Sequence, residues 1–240
     1  MSQEIDQDLT AYDRNYVLDN NLTLQWYPQR VVDMTQARAG SMLELGLGHG
    51  YSTEYFANAF PRYRVLEGSQ EMIDRFRERF TTEGIEITRC YFEDFETDER
   101  FDAVSMGFIL EHVDDPALII RKYARLLSPD GSIYMAVPNA ESLHRRFGHA
   151  AGLLDDICAL SAADLEFGHK RYFTLDSLLA MVQGEGLEVH EVEGLLLKPI
   201  TTQQMLDLNL SEAILQAMLK VGVGYPELCN SLLIRASWPG

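Results

Sequence analysis

Cysteine is scarce in this chain of 240 residues: Cys90, Cys158 and Cys229 stand far apart, with no C-x-x-C pair among them. That spacing excludes a disulfide framework and gives no thiolate zinc or dithiol redox motif. Positive charge is scarce as well, with 20 Lys and Arg against 37 Asp and Glu and a formal net charge of -17. Such a field repels a polyphosphate backbone, so no nucleic-acid partner is expected. Short basic pairs such as Arg145-Arg146 and Lys170-Arg171 suit a small anion better than a duplex. Long apolar runs are missing, none approaching the ~18 residues of a membrane span. The opening "MSQEIDQDLTAYDRN" is polar and acidic where a signal peptide is basic and then apolar. These absences together predict a cytoplasmic protein with no membrane partner. No histidine pair or carboxylate cluster has helical ligand spacing, so no metal is expected, and the acidic run Glu93–Glu99 reads as a solvated loop. Oligomeric state is left open, a homodimer included.

What is present is an alternation of short apolar runs with amphipathic stretches, the pattern of a parallel sheet with crossover helices. Strands are predicted at Ser41–Leu45, Arg64–Glu67, in "GIEITRCYF", "FDAVSMGF" and "SIYMAVP", then in "LEVHEVEGLL" and "CNSLLIRAS". Between them fall helices at about Thr53–Phe60, Glu71–Phe80, Pro116–Leu127 and Thr174–Gly184, while Ser128–Gly131, "SPDG", reads as a turn. Asn139–Tyr172 contains no clear strand and is expected to be an insertion of loops and short helices that covers a site. Residues 1–39 form a helical preface interrupted by Pro28, so the predicted organisation is an N-terminal helical lid, 1–39, on a single α/β domain, 40–240.

The stretch "SMLELGLGHGYS" sets three glycines two apart behind an apolar strand. A dinucleotide loop of the G-x-G-x-x-G type would carry its third glycine one residue after Gly50, and a P-loop would continue into Gly-Lys-Ser/Thr; neither spacing is met. A strand ending in Glu44, Gly46, Gly48 and Gly50 still lets a ligand approach the main chain, and the helix after it offers unpaired N–H groups. Glu67, at the tip of the second strand, can accept both hydroxyls of a ribose. Loop and acid together point to a nucleoside with free 2′ and 3′ hydroxyls.

With "FDAVSMGFILEHVDDP", "LLSPDGSIYMAVPN" and "GHKRYFTLDSLLAMVQGEGLEV" following in order, residues 40–195 resemble the class I S-adenosylmethionine-dependent methyltransferases of the small-molecule type. The resemblance implies a Rossmann-like, doubly wound seven-stranded α/β sheet, mostly parallel, whose last strand runs antiparallel with helices on both faces. It implies S-adenosylmethionine as cofactor, contacted by Glu44, Gly46, Gly48, Gly50, Glu67, Gly68, Phe92, Glu93 and Met106. The glycines would then make room for the amino-acid end of the cofactor. Where many members place an aspartate after the third strand to hold adenine, this chain has Tyr91-Phe92 and then Glu93-Asp94, so either Glu93 takes that hydrogen bond or Phe92 and main chain hold the ring.

Methyl transfer from a sulfonium depends mostly on positioning, with a base needed only if the acceptor must lose a proton. Three residues are the catalytic candidates. His112 follows the fourth strand at the sheet's carboxyl edge; in the antibiotic amino-sugar N-methyltransferases that this chain resembles locally, a matching histidine lies beside the acceptor. The alternative is that it only packs the start of the next helix. Asn139 and His144 follow the fifth strand, where an amide orients a hydroxyl or amine. Arg145 and Arg146 either fork onto an anion or form a solvated basic face. His169, Lys170, Arg171 and Tyr172 either close over substrate or anchor the insertion. Lys198 reads as a surface lysine. Tyr12, Tyr16, Trp26 and Tyr27 resemble an aromatic lid over a cationic ligand, with an ordinary core role open for Trp26. The expected partner is a small polar acceptor such as a sugar, nucleotide-sugar or secondary metabolite. A quinone-like or lipid acceptor would require an apolar pocket near Met106 and Phe108, and binding of the nucleoside without catalysis is the reading from another class.

Overall fold

The computed structural model describes residues 18–35, 39–80 and 84–240. The described elements run α1 (Leu18–Met34), β1 (Ser41–Leu45), α2 (Tyr51–Ala59), β2 (Arg62–Glu67), α3 (Gln70–Arg79), β3 (Glu86–Arg89), β4 (Phe101–Gly107), α4 (Pro116–Ala124) and β5 (Leu127–Pro138). After them come α5 (Leu143–Ala150), α6 (Ala162–Glu166), α7 (Leu175–Gly184), β6 (Glu188–Leu195), α8 (Thr202–Asp207), α9 (Glu212–Gly222), a 3-10 turn at Pro226–Leu228 and β7 (Ser231–Ser237). Seven strands form one sheet in the order β3-β2-β1-β4-β5-β7-β6. β7 is antiparallel to both neighbours and every other pairing is parallel, as the family resemblance implied.

Period-two alternation along the strands assigns each side chain to one of two cores. Leu43, Leu45, Val104, Met106, Ile133 and Met135 pack with α4 and α7 on one face. Met42, Val65, Ala103, Tyr134 and Ala136 pack with α1, α2 and α3 on the other. The helices start where their sequences supply caps. Ser69 accepts the Met72 N–H ahead of α3, Asp115 accepts the Leu118 N–H with Pro116 in the first turn of α4, and Thr174 and Ser177 form a reciprocal capping box on α7.

Three expectations change. Pro28 does not interrupt α1: the helix runs through it with Tyr27 and Val31 buried on either side. Burying the two is worth about 2 kcal/mol each, of the same size as the hydrogen bond and clash that an interior proline costs. Ser128–Gly131 is not a turn between elements but an excursion inside β5, since Phe101 pairs with Leu127 and Ala103 with Ser132. Lys198 is not on the surface. It is 5% exposed and ion-paired to buried Asp19 of α1, with Thr202 Oγ1 2.9 Å away. A second tie fixes α1 to β6, where Arg30 donates from Nε (2.7 Å) and Nη2 (2.6 Å) to the Glu193 carboxylate. Tyr12 and Tyr16 lie outside the described residues.

Candidate functional site

The strand order reverses between β1 and β4, and in open α/β sheets that reversal opens a crevice at the strands' carboxyl ends. Two loops meet there. The glycine loop follows β1, and the segment Phe108–Val113 follows β4; a Cβ built on Gly46 would lie 2.8 Å from Ile109 Cδ1 and 3.9 Å from Phe92. The other two glycines answer different needs. Gly50 begins α2 at φ 85°, where a Cβ would strike the Phe80 ring at 2.4 Å, so packing of α3 excludes a side chain. Gly48, at φ 47°, has nothing within 4 Å of where a Cβ would stand. The space above Gly48 is therefore open to a ligand.

Glu67 is tied into that loop. Leu47 N–H donates to its Oε2 at 3.1 Å and Ser69 N–H to its Oε1 at 2.8 Å, with Gly68 between them against the Tyr91 ring. Burial raises the Glu67 pKa, opposed by these main-chain donors. Each oxygen keeps lone-pair capacity beyond its single amide, so the carboxylate fits a pair of ribose hydroxyls. Phe92 lies in the turn after β3, partly buried against the core. Glu93 is exposed, and its carbonyl accepts from Lys122 Nζ at 2.9 Å.

Glu44 is placed elsewhere than a direct contact would require. On the α1–α3 face, its Oε2 accepts from Thr53 Oγ1 at 2.9 Å and from the Tyr63 hydroxyl, so it clamps strand to helix beneath the loop. Burial pushes its pKa up to about 7 despite the hydroxyls that favour the charged form. Met106 is also corrected: its side chain is wholly enclosed in the core below the crevice and has no surface to offer a ligand. Asn139 is corrected from a catalytic amide to a brace. It is 1% exposed, Nδ2 donates to the carbonyls of Cys229 at 3.0 Å and of Pro226 and Glu227 at 3.3 Å, and Oδ1 accepts from Glu141 N–H.

On the far side of the crevice the structure assembles a group that no spacing in the sequence announces. The end of the insertion is pinned to the loop after β4: Lys170 N–H donates to the Glu111 carbonyl at 2.8 Å, and the Arg171 guanidinium caps the carbonyls of Leu110, Val113 and Asp114. This brings His169 onto His112, ring centroids 4.8 Å apart and edge to face. Burial drives His112 down to about 4, with the His169 charge acting the same way, and lowers His169 too, so both imidazoles stand neutral at pH 7. Glu111 is fully buried, and burial pushes its carboxyl up to about 8. Neither of its oxygens is hydrogen bonded to another residue; only its own main-chain N–H and the charge of Arg171 favour ionisation. No metal is expected from ligand spacing along the chain; the fold brings one donor atom each from Glu111, His112 and His169 to within 4.8 Å of the others. The signal available was the Glu111-His112 dipeptide at a strand end; His169 could be joined to it only by the fold.

His144 stands apart from this trio. Its Nδ1 has no partner, and burial, then the nearby Lys198 charge, lowers it to about 3. Arg145 is spent internally, donating to the Ile157 and Ala159 carbonyls with its guanidinium 4.1 Å from the centre of the Tyr172 ring. Arg146 donates to the Glu141 carbonyl. Arg145 is thus buried and internally paired, while the Arg146 side chain is 41% exposed.

A family model described as a methyltransferase domain matches residues 15–192. The chain belongs to the class I S-adenosylmethionine-dependent methyltransferase family. It is 28% identical over 120 residues to the ubiquinone/menaquinone biosynthesis C-methyltransferase UbiE of Desulfotalea psychrophila, 49% of each chain being covered. It is 24% identical over 195 residues to the ubiquinone biosynthesis O-methyltransferase of Aeromonas salmonicida, covering 79% of each. A solved S-adenosylmethionine-dependent methyltransferase of Thermotoga maritima superposes with a TM-score of 0.68 at 21% identity, covering 96% of this chain and 95% of that one. Against the first of these relatives the chain spans about half the relative's length. Among the described residues no helix is long and apolar enough to cross a membrane.

Proposed function

We propose that this chain transfers a methyl group from S-adenosylmethionine to an oxygen or nitrogen of a small polar molecule in the cytoplasm. The observation that carries the reading is the meeting, at one strand-order reversal, of the open glycine loop and Glu67 on one side with Glu111, His112 and His169 on the other. The cofactor, when bound, supplies an electrophilic methyl group, so the chain's task is to align an acceptor and dispose of its proton. Glu67 holds the ribose hydroxyls, Gly48 leaves room for the amino-acid end, and Phe92 offers its face to the adenine. The carboxylate of Glu44 acts at one remove, keeping β1 and α2 in register beneath the loop. His112, buried and neutral, is able to accept a proton or orient the acceptor atom. Residues 18–34 form part of a lid over this crevice, and the insertion 139–172 shapes acceptor choice.

A quinone-like or phenolic acceptor is the second reading. It is favoured by two relatives, a ubiquinone biosynthesis O-methyltransferase and a ubiquinone/menaquinone biosynthesis C-methyltransferase. Mass spectrometric detection of S-adenosylhomocysteine and methylated product, over a panel of amino sugars, nucleotide sugars and catechols, tests both. Turnover with a sugar supports the first, turnover with catechols alone supports the second, and tight cofactor binding with no product across the panel refutes both.

A further inference from the structure

The buried trio does more than a lone base requires. A single imidazole beside the acceptor would suffice to take a proton, yet here two neutral imidazoles and a fully enclosed carboxylate converge, and the carboxylate has no hydrogen-bond partner in another residue. A buried carboxyl group with no partner in another residue costs free energy in either protonation state, and a bound cation would give its oxygens the partner they lack. Arg171 does not: its guanidinium is committed to three main-chain carbonyls. We propose that Glu111, His112 and His169 bind a divalent first-row transition cation at the acceptor end of the crevice.

The donor set supports that class of ion. Two imidazole nitrogens and one carboxylate suit zinc, cobalt, manganese or iron, whereas magnesium and calcium favour all-oxygen sets. Three protein ligands leave coordination positions open, the arrangement of a working rather than a purely structural site. At metal–ligand distances of about 2.1 Å, tetrahedral ligand atoms lie about 3.4 Å apart, so the donors, now within 4.8 Å of one another, must close by about 1 Å. Binding requires side-chain rotation to supply this closing. The backbone needs no change, because the Lys170–Glu111 main-chain bond and the Arg171 caps already hold the two segments together.

Ligating histidines usually donate their second ring nitrogen to a carboxylate or carbonyl, which fixes the ring. His169 Nδ1 lies 3.5 Å from Asp164 Oδ1 without a hydrogen bond between them, and Asp164 is itself held by the Tyr172 hydroxyl at 3.1 and 3.2 Å and by the Ser161 hydroxyl at 2.6 Å. The site stands on this geometry alone; its use, to hold and acidify an acceptor hydroxyl, rests on the methyl-transfer reading above.

The test titrates the metal-stripped full chain with cobalt(II), reading visible ligand-field absorption, and with zinc by calorimetry, while S-adenosylhomocysteine affinity is measured on the same samples. Expected are one equivalent of cation, nitrogen-ligated cobalt bands, and affinity weakened at least about tenfold in Glu111→Gln and in His169→Ala, with Glu188→Gln, at an exposed carboxylate of β6, unchanged. Absence of stoichiometric binding to the wild-type chain overturns the proposal whatever the variants do, as does binding that both substitutions leave intact. Cofactor affinity retained in that event leaves the methyltransferase reading standing, and its loss with the cation still bound has the converse meaning.

Discussion

Replacing Glu44 by glutamine isolates the energetic cost of placing an acid beneath the glycine loop. The carboxyl is 2% exposed, and its pKa rises from an unfolded value of 4.5 to about 7, chiefly through desolvation. A carboxyl raised in this way stabilises the fold relative to the unfolded chain only while protonated. The handicap is small below pH 4.5, grows as pH rises, and is complete above pH 7. With one pKa unit equal to about 1.4 kcal/mol, the ionisation penalty is about 1 kcal/mol at pH 5 and about 3 kcal/mol at pH 8. Glutamine does not titrate, and whatever it costs in hydrogen bonding to Thr53 and Tyr63 is the same at both pH values. The stability of Glu44→Gln relative to wild type should therefore improve by about 2 kcal/mol between pH 5 and pH 8. In urea unfolding that is a relative change in midpoint on the order of 1 M. A variant-minus-wild-type difference that stays constant across this range refutes the desolvated acid, and an opposite slope means that Glu44 is ionised and well compensated in the fold.

The remaining predictions concern the crevice and the lid. Glu67→Ala removes the acceptor for two main-chain amides and for the two ribose hydroxyls; S-adenosylhomocysteine affinity should fall at least about 100-fold by calorimetry, with each lost charge-assisted bond worth about 1.5–3 kcal/mol. Gly48→Ala, which meets no atom, should cost about 1 kcal/mol of stability for its left-handed φ yet weaken the cofactor strongly, while Gly50→Ala should destabilise by several kcal/mol through its clash with Phe80; thermal melts with and without S-adenosylhomocysteine separate them. His112→Ala should cut kcat at least about 100-fold with cofactor affinity retained, and normal turnover would reduce His112 to a packing residue. Lys198→Ala strands the buried Asp19 charge, a loss of about 3–5 kcal/mol, and should expose α1 to limited proteolysis before the sheet unfolds.

The elements were legible because their signals are local. Strand alternation, the Asp115-Pro116 and Thr174 helix starts, and the side-chain-free bend at Gly46–Gly50 each depend on neighbours within a few residues, and they appear where the pattern put them. Boundaries slipped where tertiary packing won. Pro28 stays inside α1 because Tyr27 and Val31 are buried beside it, and Ser128–Gly131 stays within β5 because β4 pairs on both sides of the excursion. Site residues were less legible. Asn139 has the type and location of a catalytic amide, but the carbonyls that consume it come from residues 226–229, and Met106 alternates into the core.

By itself the sequence determined the strands, the helices that cross between them and the glycine loop after the first strand, since hydrophobic period and glycine placement act through the local backbone. Only the tertiary structure decided which polar groups are spent and which are left over. Hydrogen-bond partners and desolvation depend on whatever the fold sets within a few ångströms, and it is the fold that brings residue 169 against residues 111 and 112, leaving one carboxylate buried without a partner.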